Sequence, residues 1–413
     1  MKTSKYFLSL IFIVFSHALI AQTGFINNGM KINIEPGAYI NVVDYTNNTV
    51  GGIDGTIDID GNLEVDGNMT NNSNGNVFTN IESVPDGDII LGGTDQTIQG
   101  TTPIFFENLT VKNATKTLSL NNCEIKGIFD VEGVLDLNQN RLILDNGNPG
   151  AINYQNGFIK SETTPQNGLG EIEWKIGSTI GTYAVPFGSG AGGNDLNLLL
   201  ETKTAANPNT GSIAFATYPT NGNNEPYPTG ISSLDTFKAE TIADRYWKLE
   251  PLYTTKPDIK LSFKYTPEDV DQTDNPHMIE ANLEVIRFND NILPNTWLDM
   301  KMTGTSDIQN KTVSTPVISG TNFYTWWALS EFELRIANAF TPDGDGINDV
   351  FLKGYDIEIF NRWNQVLYKG KEGWDGKYNG KLVSPGTYYY IATIPDYDNK
   401  TKTITGSITF VSK

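Results

Sequence analysis

Short apolar–x–apolar units fill residues 24–150: Ile32/Ile34, Ile40/Val42, Ile57/Ile59, Leu63/Val65, Leu109/Val111, Leu118/Leu120, Ile128/Val131, Leu135/Leu137 and Leu142/Leu144. Alternation over such short stretches predicts strands with one buried face. Asn, Gly and Asp between the units supply turns. The units recur too closely for long hairpins, so the spacing favours a β-solenoid over residues 22–150, each coil covering the face of the last, with an up-and-down meander or an ordinary sandwich as the alternative.

From residue 151 to 331 the pattern changes. Longer strands are predicted at 170–177, 182–188, 211–219, 245–251, 259–267, 283–289 and 323–334, separated by irregular Pro- and Asn-rich loops. Six or seven such strands predict an antiparallel β-sandwich. Trp247, Trp326 and Trp327 lie within these strands, where core packing is the expected role rather than a platform for sugar rings. Residues 332–413 predict a third unit, a small immunoglobulin-like β-sandwich with strands at 356–362, 365–370, 386–394 and 403–411. No long amphipathic helix is expected, so the fold class is all-β.

The first residues, MKTSKYFLSLIFIVFSHALIAQ, have a basic start at Lys2 and Lys5, an apolar stretch and a small-residue cleavage point at Ala21–Gln22. This predicts a secretory signal peptide over residues 1–21, although Leu19 rather than Ala occupies the −3 position. The formal net charge is −19, which excludes nucleic acid and anionic lipid as expected partners. The acidity is uneven, for residues 332–413 hold ten basic and ten acidic residues. Cys123 is the sole cysteine, so no intrachain disulfide forms and Cys123 is expected in the core.

Catalytic groups are scarce. Beyond the leader the one histidine is His277, and there is no nucleophile elbow, P-loop or dinucleotide fingerprint. Asp54, Asp58, Asp60, Glu64 and Asp66 crowd one stretch, and paired carboxylates could hydrolyse a glycan. Alternation, however, puts Ile57, Ile59, Leu63 and Val65 inside and the acids outside. A lyase would also need a base there, and Lys31 is the only Lys or Arg between residues 23 and 111. We therefore expect no enzyme, no catalytic residue and no cofactor, with a polysaccharide-active enzyme or glycan-binding protein as the alternative.

The tail carries a recognisable series of motifs. FTPDGDGINDVF supplies Phe340, Thr341, Pro342, Asp343, Gly344, Asp345, Gly346, Asn348 and Asp349. IEIFNRW supplies Phe360, Asn361, Arg362 and Trp363, and WDGKYNG supplies Trp374, Asp375 and Gly376. SPGTYYY supplies Pro385, Gly386, Thr387 and Tyr388, and the chain closes on GSITFVSK. In order and spacing this resembles the gliding-motility-associated carboxy-terminal domain, the type B sorting signal of the Bacteroidetes type IX secretion system. Asp343 replaces the usual Asn of the first motif, and Asn364 replaces the Gly expected after FNRW, at a point where a positive φ is tolerated by Asn. The resemblance implies export across both membranes to the cell surface or beyond, with the type IX machinery and an outer-membrane protein as partners. It covers nothing before about residue 332. With the repeats, it leads us to expect an adhesive or structural surface protein, with glycans as further candidate partners.

The same loop poses a metal question. Asp343, Asp345, Asn348 and Asp349 could offer oxygens to calcium. It is not an EF-hand, because the twelfth position from Asp343 is Gly354 rather than Glu. A structural turn with Asx hydrogen bonds is the favoured alternative.

Overall fold

The computed structural model describes residues 19–20, 24–79, 86–190, 193–234, 237–271, 273–275, 278–289, 296–298, 304–331, 336, 338–344, 349–395 and 401–411. Half of the chain is β-strand, and the described residues form no α-helix.

The amino-terminal region is a β-solenoid of about six turns. Each coil contributes a strand to each of two long parallel sheets and closes along a third side. The first sheet stacks Leu19–Ile20, Tyr39–Val42, Asn62–Val65, Asp88–Leu91, Asn108–Val111, Phe129–Val131 and Ile152–Tyr154. The second stacks Phe25–Asn28, Tyr45–Val50, Met69–Asn72, Gln96–Gly100, Thr115–Leu118, Val134–Asp136 and Phe158–Lys160. On the third side Lys31–Ile34 pairs with Thr56–Ile59, and Phe105–Phe106, Cys123–Ile125 and Arg141–Leu144 pair further along.

Parallel register puts like on like. Ile40, Leu63, Ile89, Leu109, Phe129 and Ile152 form one column. Val42, Val65, Leu91, Val111 and Val131 form the next, two residues along the pleat. From Leu63 and Val65 through Phe129 and Val131 both columns are almost wholly buried. Each such side chain contributes about 1.5–3 kcal/mol by leaving water, so the stack needs no disulfide. One expected pair is corrected: Phe129, not Ile128, faces inward beside Val131, and Ile128 is half-buried in the preceding turn.

The third solenoid side does not end at residue 150. Arg141–Leu144 pairs in parallel with Glu171–Trp174, which then pairs antiparallel with Ser212–Pro219. Arg245–Leu252, Trp326–Glu331, Leu283–Asn289 and Thr296–Leu298 complete a nine-stranded sheet. A five-stranded sheet carries Thr182–Val185, Leu198–Thr202, Ile259–Lys264, Thr312–Ser314 and Thr305–Asp307. Phe263 of this sheet meets Trp247 of the other, with ring centroids 5.2 Å apart. One apolar core runs without interruption from Ile34 to Leu329. The other face of the long sheet is buried too, under Tyr218, Tyr246, Ile286, Trp297 and Trp326.

The tail has its own core of Phe340, Phe351, Ile357, Ile359, Trp374, Tyr388, Tyr390, Ile408 and Phe410 among others. Its sheet has five strands in the order Ala339–Phe340, Thr401–Phe410, Gly386–Pro395, Asp356–Phe360 and Val366–Gly370, beside a two-stranded sheet of Lys377–Tyr378 and Lys381–Leu382.

Candidate functional site

The acidic stretch is dispersed by the coil. Asp58 sits on the third side and pairs with Lys31 at 3.1 Å. Glu64 lies on the first sheet and accepts from the Tyr39 hydroxyl. Asp66, at the end of that strand, accepts from Asn41 Nδ2 at 3.1 Å. Asp54 lies in the short strand Ile53–Asp54, which pairs antiparallel with Tyr45–Val50 of the second sheet, and accepts from Thr49 and from the Asn74 amide. Burial and the neighbouring Asp66 push the Glu64 carboxyl upward. Among the described residues no three Asp, Glu, His or Cys side chains gather as a metal site. His277 lies outside the described residues, as do Ala21 and Gln22.

The second sheet is different. Its inward positions include Asn27, Asn47 and Asn71, stacked in register and fully buried. Their carboxamides turn the coil's corner: Asn27 Nδ2 donates to the Met30 carbonyl at 3.0 Å, Asn47 Nδ2 to Gly55 at 2.8 Å and Asn71 Nδ2 to Gly75 at 3.1 Å. Further along, Lys116 points inward and donates to the carbonyls of Gly93 and Thr94. The hydrophobic pattern missed these residues. The signal was a polar residue at an inward position of a strand, recurring once per coil.

Outward, the same sheet presents Ile26 and Asn28, Thr46 and Asn48, Thr70 and Asn72, Thr97 and Gln99, and Thr115 and Thr117. None is ionisable over five coils of a strongly acidic chain. The side chains are tied across coils, Asn48 Nδ2 donating to Asn28 at 2.9 Å and Gln99 Nε2 to Thr70 Oγ1 at 3.3 Å. The acids sit in the flanking turns instead: Asp44 holds the Asn68 amide at 2.7 Å and Asp95 the Thr115 amide at 3.0 Å. The result is a flat lattice of hydroxyls and carboxamides that repeats at the strand spacing, about 4.8 Å.

Trp247, Trp326 and Trp327 of the middle region are buried. Trp247 and Trp327 pack on Phe263, and Trp326 packs edge-on to Tyr218.

In the tail, Phe340 and Trp374 are buried against each other, centroids 5.2 Å apart. Trp374 Nε1 donates to the Lys377 carbonyl at 3.0 Å, and the Tyr388 hydroxyl to the Ser384 carbonyl at 2.5 Å. Asp375 pairs with Lys377 at 2.6 Å. Gly376 takes a φ of 75°, and a Cβ there would lie 3.1 Å from Pro342. Thr341 lies beside Pro342 in the first loop, and Pro385, Gly386 and Thr387 lead into the long strand that carries Tyr388. Asn361 Oδ1 accepts from the Trp363 and Gln365 amides, each at 3.0 Å, and Asn364 adopts a φ of 62°. That tight turn throws Trp363 outward, 73% exposed, under the Arg362 guanidinium 4.2 Å from its ring. Beside it, Phe360, Tyr389 and Ile391 line an open groove of about 530 Å³ on the outer face of the sheet. In the first motif Asp349 Oδ1 accepts from the Gly344 amide at 2.6 Å, and Asp343 is exposed. Asp345, Gly346 and Asn348 lie outside the described residues, so only part of the candidate calcium loop is seen.

The tail motifs thus divide into core residues and an exposed turn. No curated protein matches the chain. Residues 334–410 match the family model of the CHU_C Type IX secretion signal domain, and the match does not reach the solenoid or the two-sheet region. The carboxy-terminal domain is therefore a type IX secretion signal domain, which engages that secretion machinery and directs export to the cell surface or the extracellular space.

Proposed function

We propose that the chain is a non-catalytic adhesive protein of the Bacteroidetes surface, and that its solenoid holds uncharged polysaccharide on the outer face of the second sheet. The observation that carries this reading is the lattice from Asn28 to Thr117, free of ionisable groups although the chain's formal charge is −19. Hydroxyl and carboxamide groups can donate to and accept from sugar hydroxyls along the lattice. A polyanion is repelled by the acidic flanks, whereas a neutral glycan is not. Of the acidic stretch only Glu64 and Asp66 share a side, that of the first sheet rather than of this lattice, and each is held by a neighbour, Tyr39 or Asn41. The stretch thus puts no carboxylate pair on the lattice, which supports a binding role, since glycoside hydrolysis needs two carboxylates facing one bond. In the same proposal a leader at residues 1–21 takes the chain across the inner membrane, no cofactor is used, and an outer-membrane protein receives the tail.

The test is retention of the purified full chain on insoluble neutral and acidic polysaccharides, with release of soluble sugar followed in parallel. Retention on a neutral polymer without release is expected. Sugar release would overturn the non-catalytic reading, and retention on acidic polymers alone would overturn the assignment of the face.

A further inference from the structure

The amino-terminal end of the solenoid presents an open edge, away from the lattice. Lys31–Ile34 is the first strand of the third side, and among the described residues it pairs on one flank only, with Thr56–Ile59. The Thr56 amide donates to the Met30 carbonyl at 2.9 Å, and the Asp60 amide to the Ile34 carbonyl at 2.8 Å. Even-numbered residues of this strand therefore turn their backbone groups to that neighbour, and Lys31 and Asn33 turn theirs to the open flank.

The first coil is also short of cover. Its inward residues Phe25, Ile32 and Ile40 are half-buried, whereas Tyr45, Ile57 and Leu63, their register partners one coil on, are buried. A solenoid end needs a cap, and uncovered edge strands invite pairing. Leu19–Ile20 lies beside Tyr39–Val42, with Leu19 opposite Ile40. That strand, however, belongs to the leader of the proposed function, and the inference rests on that leader's removal. Between a cut at Ala21–Gln22 and Phe25 lie only Gln22, Thr23 and Gly24, far fewer residues than a coil such as Leu109 to Phe129.

The open edge is complementary to itself. Lys31, Asn33 and Glu35 share the outward face, and Ile32 and Ile34 the inward one. Asn33 Nδ2 donates to Glu35 Oε1 at 2.6 Å, which holds that carboxylate on the outer face. Turned about a two-fold axis at Asn33, the strand meets its own copy antiparallel, with Ile32 opposite Ile34 and Lys31 opposite Glu35, each pair occurring twice. Asn33 then exchanges both amide bonds with its counterpart, because its backbone groups face the open flank. Centred on Lys31 or on Glu35 instead, the pairing would oppose like charges, which is unfavourable. Lys31 is the only Lys or Arg between residues 23 and 111, so two acidic chains would meet at the one cation of this region.

We propose that this end is a homodimer interface, in which two exported chains join head to head by pairing their Lys31–Ile34 edges antiparallel about Asn33, with Lys31–Glu35 ion pairs on both sides of the axis. The half-buried Phe25, Ile32 and Ile40 of each copy cover one another, so each solenoid caps the other. Lys31 keeps Asp58, 3.1 Å away in its own chain, as a second carboxylate. Unlike charges on opposed strands contribute modestly. Backbone bonds and apolar cover therefore hold the dimer, and the charges fix its register.

The experiment is sedimentation velocity of the exported full-length chain over a micromolar concentration series, with N-terminal sequencing of the same sample. A dimer is expected. Lys31→Glu and Glu35→Lys should each raise its dissociation constant about tenfold, since each turns two attractive pairs into repulsive ones. The double exchange should restore the dimer, a recovery that a merely structural role would not produce. Asn33→Pro removes an amide that has no partner among the described residues, so the monomer should keep its Tm and lose the dimer. A wild-type chain that begins at Gln22 and stays monomeric overturns the interface and leaves the leader reading intact. A monomer that still carries Leu19–Ile20 overturns both. A dimer that neither single exchange weakens also overturns the interface, since the copies would then meet elsewhere, as does a stoichiometric complex with a different protein at this end. If Asn33→Pro does not fold, the charge exchange decides.

Discussion

The Lys116 ammonium, inside the solenoid, donates to the Gly93 carbonyl of the preceding coil at 2.7 Å. A second bond, to Thr94 at 2.6 Å, holds the same turn. Burial lowers the lysine's pKa, while Asp95 and Asp66 oppose the shift. Lys116→Met keeps the stem and removes the donors, leaving two carbonyls unsatisfied. The expected loss is about 1–3 kcal/mol in chemical denaturation. The pH sign follows from linkage. Between the lowered folded pKa and the ordinary value near 10.4 the unfolded chain binds more protons, so this group's contribution rises with pH. The wild type's advantage over Lys116→Met should therefore widen in alkaline buffer, and a constant gap would contradict this.

The asparagine column gives a paired test. Asn47 Nδ2 bonds the Gly55 carbonyl from inside the coil, while Asn48, next in sequence, points outward. Asn47→Ala should cost about 1–3 kcal/mol by orphaning a buried carbonyl. Asn48→Ala should stay within about 0.5 kcal/mol. Equal effects would mean that the inner column does not close the corner.

These columns also show what the sequence could and could not yield. Strands of the first sheet were legible because Leu63, Val65, Leu109 and Val111 alternate with polar residues. The second sheet's early strands, FINN, YTNNTV and MTNN, were not, because their buried positions hold Asn27, Asn47 and Asn71 rather than aliphatics. A hydrophobic-only pattern therefore returns units every seven to ten residues where the true repeat is a three-sided coil, as in the pairing of Leu109 with Phe129. The long middle strands were legible from their aromatic content. In the tail, the motif residues were legible as a set, but the sequence did not separate buried Trp374 from exposed Trp363.

Cys123 offers a simple check of the solenoid core. It is fully buried, its Sγ accepts from the Ile104 amide at 3.4 Å, and burial pushes the thiol up to about 11. The thiolate is the reactive form, so the native protein should not react with a thiol reagent at neutral pH, and one equivalent should react after denaturation. Rapid native labelling would mean that the coils open.

The two tail tryptophans should separate folding from docking. Trp374 is buried between Phe340 and Tyr388 and its indole donates to Lys377. Trp374→Ala should destabilise the domain by about 3–5 kcal/mol and thereby block export. Trp363 rests on Arg362 in the turn that Asn361 closes, and its removal leaves the core untouched. Trp363→Ala should leave the domain's Tm nearly unchanged, because a surface substitution costs within about 0.5 kcal/mol. Its effect on export then reads recognition alone. An exposed aromatic beside a cation and an apolar groove is the composition of an interface hot spot, so we expect Trp363→Ala to reduce the exported fraction and leave the unexported chain folded. Restoration by Trp363→Phe would identify the aromatic face as the contact. Normal export of Trp363→Ala would move recognition away from this turn and groove to another part of the domain.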